Sequence, residues 1–566
     1  PPRMLRDVRS LAPARAPLAA ATRIAGAAAL REAALRVLQF PAVADKTFLI
    51  SIGDRTVGGM VSRDQMVGPW QVPVADVAVT LADYEGYAGE AMAMGERTPV
   101  AVLDAPASGR LAVCEAVLNI LAADIAALRD IRLSANWMAA CGEPGEDAAL
   151  YATVHAVGEE LCPALGIAIP VGKDSLSMKT AWRDPVSGTD HSVVAPVSLI
   201  VSAFAPVQDA RRTWTPQLRT DAGATRLLHV SLNGLRHRLG GSVFAQVHGE
   251  LGDECPDLDK PARLVSFAAA LCTLRDAGHV LAYHDVSDGG LFATLAEMAF
   301  AGHCGLDVNL PGKEGSAVEQ LFAEEPGVVL QVRAAALDAL QVTWRLHGLE
   351  LCVREIGAPA VDMRVRIAMG EAVLDISWRE LREAWSRTSC EMRRLRDEPT
   401  CADEEFAASC DETDPGLGVA LNFDSDNDVA APYIARGARP RVAVLREQGV
   451  NSEVEMAAAL DRAGFEAHDV HMTDLLSGAR TLGEFRGLIA CGGFSYGDVL
   501  GAGEGWAKAI LFHSRMRDQF MSYFARPETF TLGVCNGCQM LSALKALVPG
   551  AEHWPRFVSN RSEQFE

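Results

Sequence analysis

The 566-residue chain predicts a multidomain protein of mixed α/β and α+β class, on three observations. Its length exceeds what one ordinary core organises, so three or four domains are expected. Its hydrophobic content of 49%, with Gly and Pro scattered throughout, is that of a globular chain. Short apolar runs alternate with helical periodicity along most of its length.

Residues 1–40 are Ala/Arg-rich and predict a connector with one helix around 24–38. Arg15, Arg23, Arg31 and Arg36 interrupt the run, so it is no membrane span. The Pro1-Pro2 opening reads as a fragment and not as a targeting segment. From 41 to 205, β-rich runs at 47–52, 74–80 and 193–204 flank helical patterns at 110–130 and 147–162. From 206 to 396, strands at 227–232 and 328–332 alternate with helices at 261–277 and 290–301. Residues 397–438 are expected to be an acidic, solvated linker, since 397–430 hold eleven acidic residues and no Lys or Arg. From 439 to 566, short buried strands at 441–445, 466–471, 487–490 and 530–534 enclose helices at 452–464 and 504–521. That is the rhythm of a doubly wound parallel sheet.

A formal charge of −21 and a pI near 5.1 argue against a general nucleic-acid or membrane-surface binder. Such a chain binds phosphates only with Mg²⁺, local cations or backbone N–H groups. The 13 cysteines are dispersed. Cys535 and Cys538 form the one Cys-x-x-Cys, and with no second pair at zinc spacing a structural zinc is not expected. A thioredoxin-like redox pair stays open as an alternative. The other cysteines read as small buried hydrophobes in a reducing, cytoplasmic setting.

The strongest chemical signal is Gly533-Val534-Cys535-Asn536-Gly537, where an apolar strand meets a helical pattern. This is the cysteine form of the strand–elbow–helix turn that exposes a nucleophile. The helix that follows offers N–H groups to a developing oxyanion. Upstream, Cys491-Gly492-Gly493 closes another apolar strand and supplies further backbone N–H groups. Gly492, Gly493 and Asn536 are therefore the oxyanion candidates. An ordinary turn around a buried cysteine is the plain alternative.

Phosphate and metal chemistry is concentrated upstream. In His284-Asp285-Val286-Ser287-Asp288-Gly289-Gly290, Asp285 suits Mg²⁺, while Ser287 and the glycines suit phosphate oxygens; a capped turn is the alternative. Glu115 and Asn119 lie one turn apart on an apolar helix and suit a cation. Asp76 is expected in an apolar strand, where an unpaired carboxylate is costly and a metal relieves the cost. Asp424-Ser425-Asp426-Asn427-Asp428 is no calcium loop, because Val429 and Ala435 occupy the required Gly and Glu positions. Gly172-Lys173-Asp174 is no Walker loop, because Asp174 replaces Ser/Thr.

Long stretches of the chain resemble the large, single-chain phosphoribosylformylglycinamidine synthase family. They include Gly53-Asp54-Arg55-Thr56-Val57-Gly58-Gly59, Arg63 to Pro73, Ser134 to Met138, Pro170 to Lys179 and the His284 turn. Val444 to Glu453, Gly492 to Gly505 and Gly533 to Gln539 complete the set. The resemblance implies the second half of a duplicated ATP-dependent synthetase, followed by a truncated class I glutamine amidotransferase domain. It places Mg²⁺ ligands on Asp76, Glu115, Asn119 and Asp285, and nucleotide contacts on Ala75 and Ser287. Cys535 would attack glutamine and release ammonia, which converts formylglycinamide ribonucleotide to the amidine at the expense of ATP. The implied parent is a cytoplasmic, single-chain monomer with no nucleic-acid or membrane partner. The family's His-x-Glu pair after the nucleophile is not found here; His553 lies in Glu552-His553-Trp554. Low glutaminase activity of this chain is therefore expected. Two further readings are kept: a silent scaffold or regulatory fragment, and a stand-alone cysteine hydrolase using His468, His471, His513 or His553.

Overall fold

The computed structural model describes residues 10–564 except 12–14, 25, 235, 313–314 and 371. The first nine residues of the expected connector and the last two of the C-terminal domain lie outside the described residues. The chain forms two compact units, one of residues 1–52 and 62–418, the other of 53–61 and 419–566. Residues 53–61, assigned to the 41–205 domain on sequence, belong with the second unit. There the Gly58 backbone N–H donates to the Glu455 carboxylate.

The first unit carries two sheets. One has strand order β1-β2-β3-β8-β4-β5 (Val61–Arg63, Ala78–Leu81, Gly89–Glu96, Ser198–Val207, Arg132–Met138, Ala168–Ser175) and is antiparallel at β2–β3, β3–β8 and β8–β4, with β4–β5 parallel. The hairpin β6–β7 (Lys179–Arg183, Asp190–Val194) stands apart. The 193–204 run expected as one strand divides between β7 and β8 at Pro196, which has no N–H for a ladder. The second sheet has order β10-β12-β9-β13-β11-β14-β15 (Val280–Val286, Gly327–Arg333, Thr225–Ser231, Val353–Ala360, Gly305–Leu310, Arg364–Met369, Ala372–Ser377). Sequence placed these sheets in separate domains. Residues of both meet in one buried cluster, in which Val79, Ala112 and Val117 pack with Phe267, Val328 and Leu330.

Three local readings change. Residues 47–52 begin with a helical turn, Thr47–Ile50, because Asp45 Oδ1 accepts the Thr47 N–H at 2.7 Å and Ser389 Oγ accepts that of Phe48 at 2.9 Å. Asp76 is not in a strand: β2 starts at Ala78, and Asp76 lies on the irregular loop before it. The acidic linker is partly helical. Glu398 caps the Pro399–Ser409 helix, whose Glu405 pairs with Arg393 and whose Phe406 lies beneath Arg387, both on the Trp378–Arg396 helix. The carboxylates of this stretch are thus partly spent on arginines that precede it.

The second unit holds a four-stranded, fully parallel sheet, β17-β16-β18-β19 (Glu466–His471, Arg441–Arg446, Gly487–Ala490, Phe530–Gly533). The expected 504–521 helix is two, Glu504–Leu511 and Ser514–Phe524, since His513 leaves the helix to cap the second by accepting the Met516 N–H. β19 is an edge strand and largely exposed rather than buried. Among the described residues no helix is long and apolar enough to cross a membrane.

Phe267 is fully buried in the shared core of the first unit. Its replacement by Ala is expected to cost about 3–5 kcal/mol in urea unfolding, and a loss below about 1 kcal/mol would contradict the shared core.

Candidate functional site

In the second unit, Cys535 follows β19 and precedes the Asn536–Ala543 helix with φ 50° and ψ −114°. A non-glycine residue held at such a φ is strained by about 1–3 kcal/mol; the strain exposes the side chain, and Cys535 is solvent-exposed. The turn is this tight because helix and sheet nearly touch. A Cβ on Gly537 would stand 2.0 Å from the Ala490 carbonyl oxygen of β18. Gly493, at φ 138°, crosses the 449–451 backbone so closely that a Cβ would meet Val450 Cα at 2.6 Å.

The Gly492-Gly493 loop abuts Cys535, a Cβ on Gly492 falling 3.2 Å from Cys535 Cβ. Ser452 Oγ and the Asn451 N–H both donate to the Gly492 carbonyl, at 3.0 and 3.2 Å. That carbonyl is engaged, so what the loop offers is its N–H groups. Asn536 is buried and its side chain is occupied. Its Oδ1 accepts the Ser495 N–H at 3.2 Å, and its Nδ2 donates to Asp498 Oδ1 at 3.3 Å and Gln539 Oε1 at 3.1 Å. Asp498 in turn accepts the N–H groups of Ala502 and Gly503. Sequence reasoning did not single out Asp498, which ties the loop to the elbow.

None of the four candidate histidines is hydrogen-bonded or ion-paired to Cys535. His468 sits between Glu466 and Arg480 at 2.9 Å each, His471 contacts Thr473 and Glu447, His513 caps a helix, and His553 is exposed.

The first unit brings two of the predicted cation ligands, Asp76 and Asp285, together at β10, while Glu115 and Asn119 lie on a helix that packs against it. Asp76, His284 and Asp285 present ligand atoms within 4.8 Å of one another. Asp76 Oδ1 accepts from His284 Nδ1 at 2.7 Å and from the Asp285 N–H at 3.3 Å. Glu115 and Asn119 project from the Ala105–Ile120 helix, which Asp104 caps by accepting the Ala107 N–H. Glu115 Oε2 accepts the Glu96 N–H at 2.8 Å, and Asn119 Nδ2 donates to the Met94 carbonyl at 3.0 Å.

Electrostatics single out this cluster. Burial, with Asp76 alongside, pushes the Asp285 carboxyl up to about 7. Burial also raises Glu115 well above the usual carboxylate range; Arg97 opposes the rise and Asp285 adds to it. Burial would depress His284, but the flanking Asp76 and Glu297 carboxylates outweigh it and hold the ring well above its ordinary value. Two oxygens, Asp76 Oδ2 and Asn119 Oδ1, are buried without a hydrogen-bond partner. Orphaned oxygens amid crowded carboxylates fit a hard divalent cation, for which oxygen donors are the preferred set.

Ser287 lines a small cavity with Arg97, Glu115 and Glu324. The glycines beside it do not present free N–H groups to a phosphate, contrary to expectation. The Gly289 N–H donates to Glu324 Oε1 at 2.8 Å and that of Gly290 to the Ser287 carbonyl at 3.0 Å. Ala75 spends its N–H on the Gln65 carbonyl at 3.2 Å. Arg97 is buried, paired with Glu324 and with Asp288 Oδ1. Arg97, Glu297 and Glu324 were missed on sequence, where no spacing relates them to the His284 turn.

Three domain families match in order. Residues 45–206 match the FGAR-AT PurM_N-like domain, 226–360 the C-terminal domain of AIR synthase related proteins, and 439–566 the CobB/CobQ-like glutamine amidotransferase domain. The chain thus carries an FGAR-AT PurM_N-like domain, an AIR synthase related C-terminal domain and a glutamine amidotransferase domain in one polypeptide. Among solved structures it is similar to Thermotoga maritima PurL complexed with FGAR, at 11% identity and TM-score 0.45 over 62% of this chain and 52% of that one. Thermotoga maritima PurLQS matches at 12% identity and TM-score 0.43, over 61% and 50%. The Escherichia coli hydrogenase maturation protein HypE matches at 16% and 0.35, over 62% and 95%. The chain thus spans about half the length of the PurL structures it matches.

Gly537→Ala is expected to destabilise the second unit by about 1–3 kcal/mol and to slow Cys535 alkylation by iodoacetamide. Unchanged stability and alkylation rate would mean that the Ala490 carbonyl does not set the elbow.

Proposed function

We propose that the chain supplies the glutaminase nucleophile and a Mg²⁺-nucleotide site to a phosphoribosylformylglycinamidine synthase. That enzyme converts formylglycinamide ribonucleotide, ATP and glutamine to the amidine. The observation that carries this reading is one polypeptide holding both a strained cysteine elbow and a buried oxygen-rich cluster. The FGAR-AT PurM_N-like and glutamine amidotransferase domain matches support the choice of substrates.

The glutamine amide carbonyl would be attacked by the Cys535 sulfur. The N–H groups of Gly492, Gly493 and Asn536 would receive the oxyanion; the closeness of Gly492 to Cys535 supports this. Collapse of the adduct releases ammonia and leaves a thioester for water to cleave. In the synthetase reaction the substrate amide oxygen leaves poorly until ATP phosphorylates it, after which ammonia displaces phosphate. Asp76, Asp285, Glu115 and Asn119 would hold Mg²⁺, and Ala75 and Ser287 would contact the nucleotide. The cation, when bound, supplies charge neutralisation of the polyphosphate.

A second reading, in which the cysteine site is silent in this chain, draws support from the absence of a histidine contact to Cys535. A diazoketone analogue of glutamine separates the two. A single adduct on Cys535, located by mass spectrometry and absent in Cys535→Ala, is the expected result; no adduct favours the silent site. For the synthetase portion, calorimetry should show Mg²⁺-dependent ATP binding that weakens at least about tenfold in Asp285→Asn. Binding indifferent to Mg²⁺ would sink that assignment.

A further inference from the structure

Asp76 is the one predicted cation ligand carried by irregular backbone, so neither a strand ladder nor a helix orients its carboxylate. Its orientation comes from His284. The buried imidazole stands between two carboxylates, with Nδ1 2.7 Å from Asp76 Oδ1 and Nε2 2.8 Å from Glu297 Oε2. Glu297 belongs to the Gly290–Gly302 helix and His284 to β10. The chain of contacts therefore ties the loop to two regular elements. Asp76 Oδ1 also takes the Asp285 N–H, so that oxygen is held from two directions. Its partner Oδ2 is left buried and unbonded.

We propose that His284, braced by Glu297, is a positioning residue that turns Asp76 so that Oδ2 faces a divalent cation shared with Asp285. The proposal rests on the cation-site reading above and adds the group that orders the site. A carboxylate pinned at one oxygen can rotate neither oxygen away, so the ordering entropy is met on folding and not on metal binding. A histidine that merely fills a polar niche would show no preference between its two ring nitrogens, and this gives the test.

An asparagine at 284 places its side-chain N–H₂ where Nδ1 lies and keeps the Asp76 bond. A glutamine reaches the Nε2 position and keeps only Glu297. Mn²⁺ binding to the purified chain, followed by electron paramagnetic resonance of the free ion, is expected to be within about threefold of wild type in His284→Asn. In His284→Gln it should weaken by about 10–100-fold, with circular dichroism unchanged in both. Equal affinities in the two variants would overturn the role of His284 while leaving the cation site standing. Failure of the wild-type chain to bind Mn²⁺ would overturn the cation site and this role together. If a position-284 variant does not fold, Glu297→Gln probes the brace from its far side. A weakening of roughly 3–10-fold supports it, as expected for a partner that acts through another residue, and unchanged affinity overturns it.

Discussion

The first unit depends on how closely the Ala105–Ile120 helix lies on β3. A Cβ on Gly95 would stand 2.2 Å from the Ala112 carbonyl oxygen, so the contact exists only because glycine occupies that place. The approach brings Glu115 to the Glu96 N–H and buries the helix almost all round. The helix's far end is then satisfied from the other sheet's layer. Arg275 donates to the carbonyls of Leu121 and Ala122, and the Tyr283 hydroxyl donates to that of Leu118 at 2.7 Å. Orphan carbonyls at a buried helix terminus need such partners. Here the partners come from the elements that frame β10, which is how the second sheet delivers Asp285 to a helix of the first.

The second unit answers a different constraint. A parallel sheet ends its strands on one side, and the loops there must pack without regular hydrogen bonding. The 492–505 segment meets this with a run of left-handed residues, Tyr496, Gly497, Asp498, Gly501, Ala502 and Gly503. The Asp498 carboxylate, which collects two backbone N–H groups and the Asn536 amide, compensates their strain. The Asp498 hydrogen bonds thus tie the ordered loop to Asn536, the residue after Cys535.

Much of this was legible in the residues. Short apolar runs located the central strands β16 and β18 of the second unit, because a strand buried on both faces is apolar throughout. The elbow was legible since only glycine tolerates the contacts at 537. The candidate cation ligands were drawn from resemblance, and Glu115 and Asn119 also from helical spacing; the structure brings Asp76 and Asp285 together beside His284. What escaped was the partner of each charged group. Arg97 reaches Glu324 across 227 residues and His284 reaches Asp76 across 208. No local rule connects such pairs. The same blindness misread residues 47–50 as a strand, because the groups that make the turn include Ser389, distant in sequence.

By itself, then, the sequence determined the class of fold and the parallel sheet, and it singled out the cysteine turn and a set of oxygen donors as candidates. Each depends on residue type and short spacing, which the covalent chain fixes. Tertiary structure alone decided that residues of two sheets meet in one buried cluster, that the Gly289 and Gly290 N–H groups are taken up within the protein, and that Asp76 bonds to a histidine far along the chain. These depend on which distant groups meet, and burial, not order along the chain, selects them.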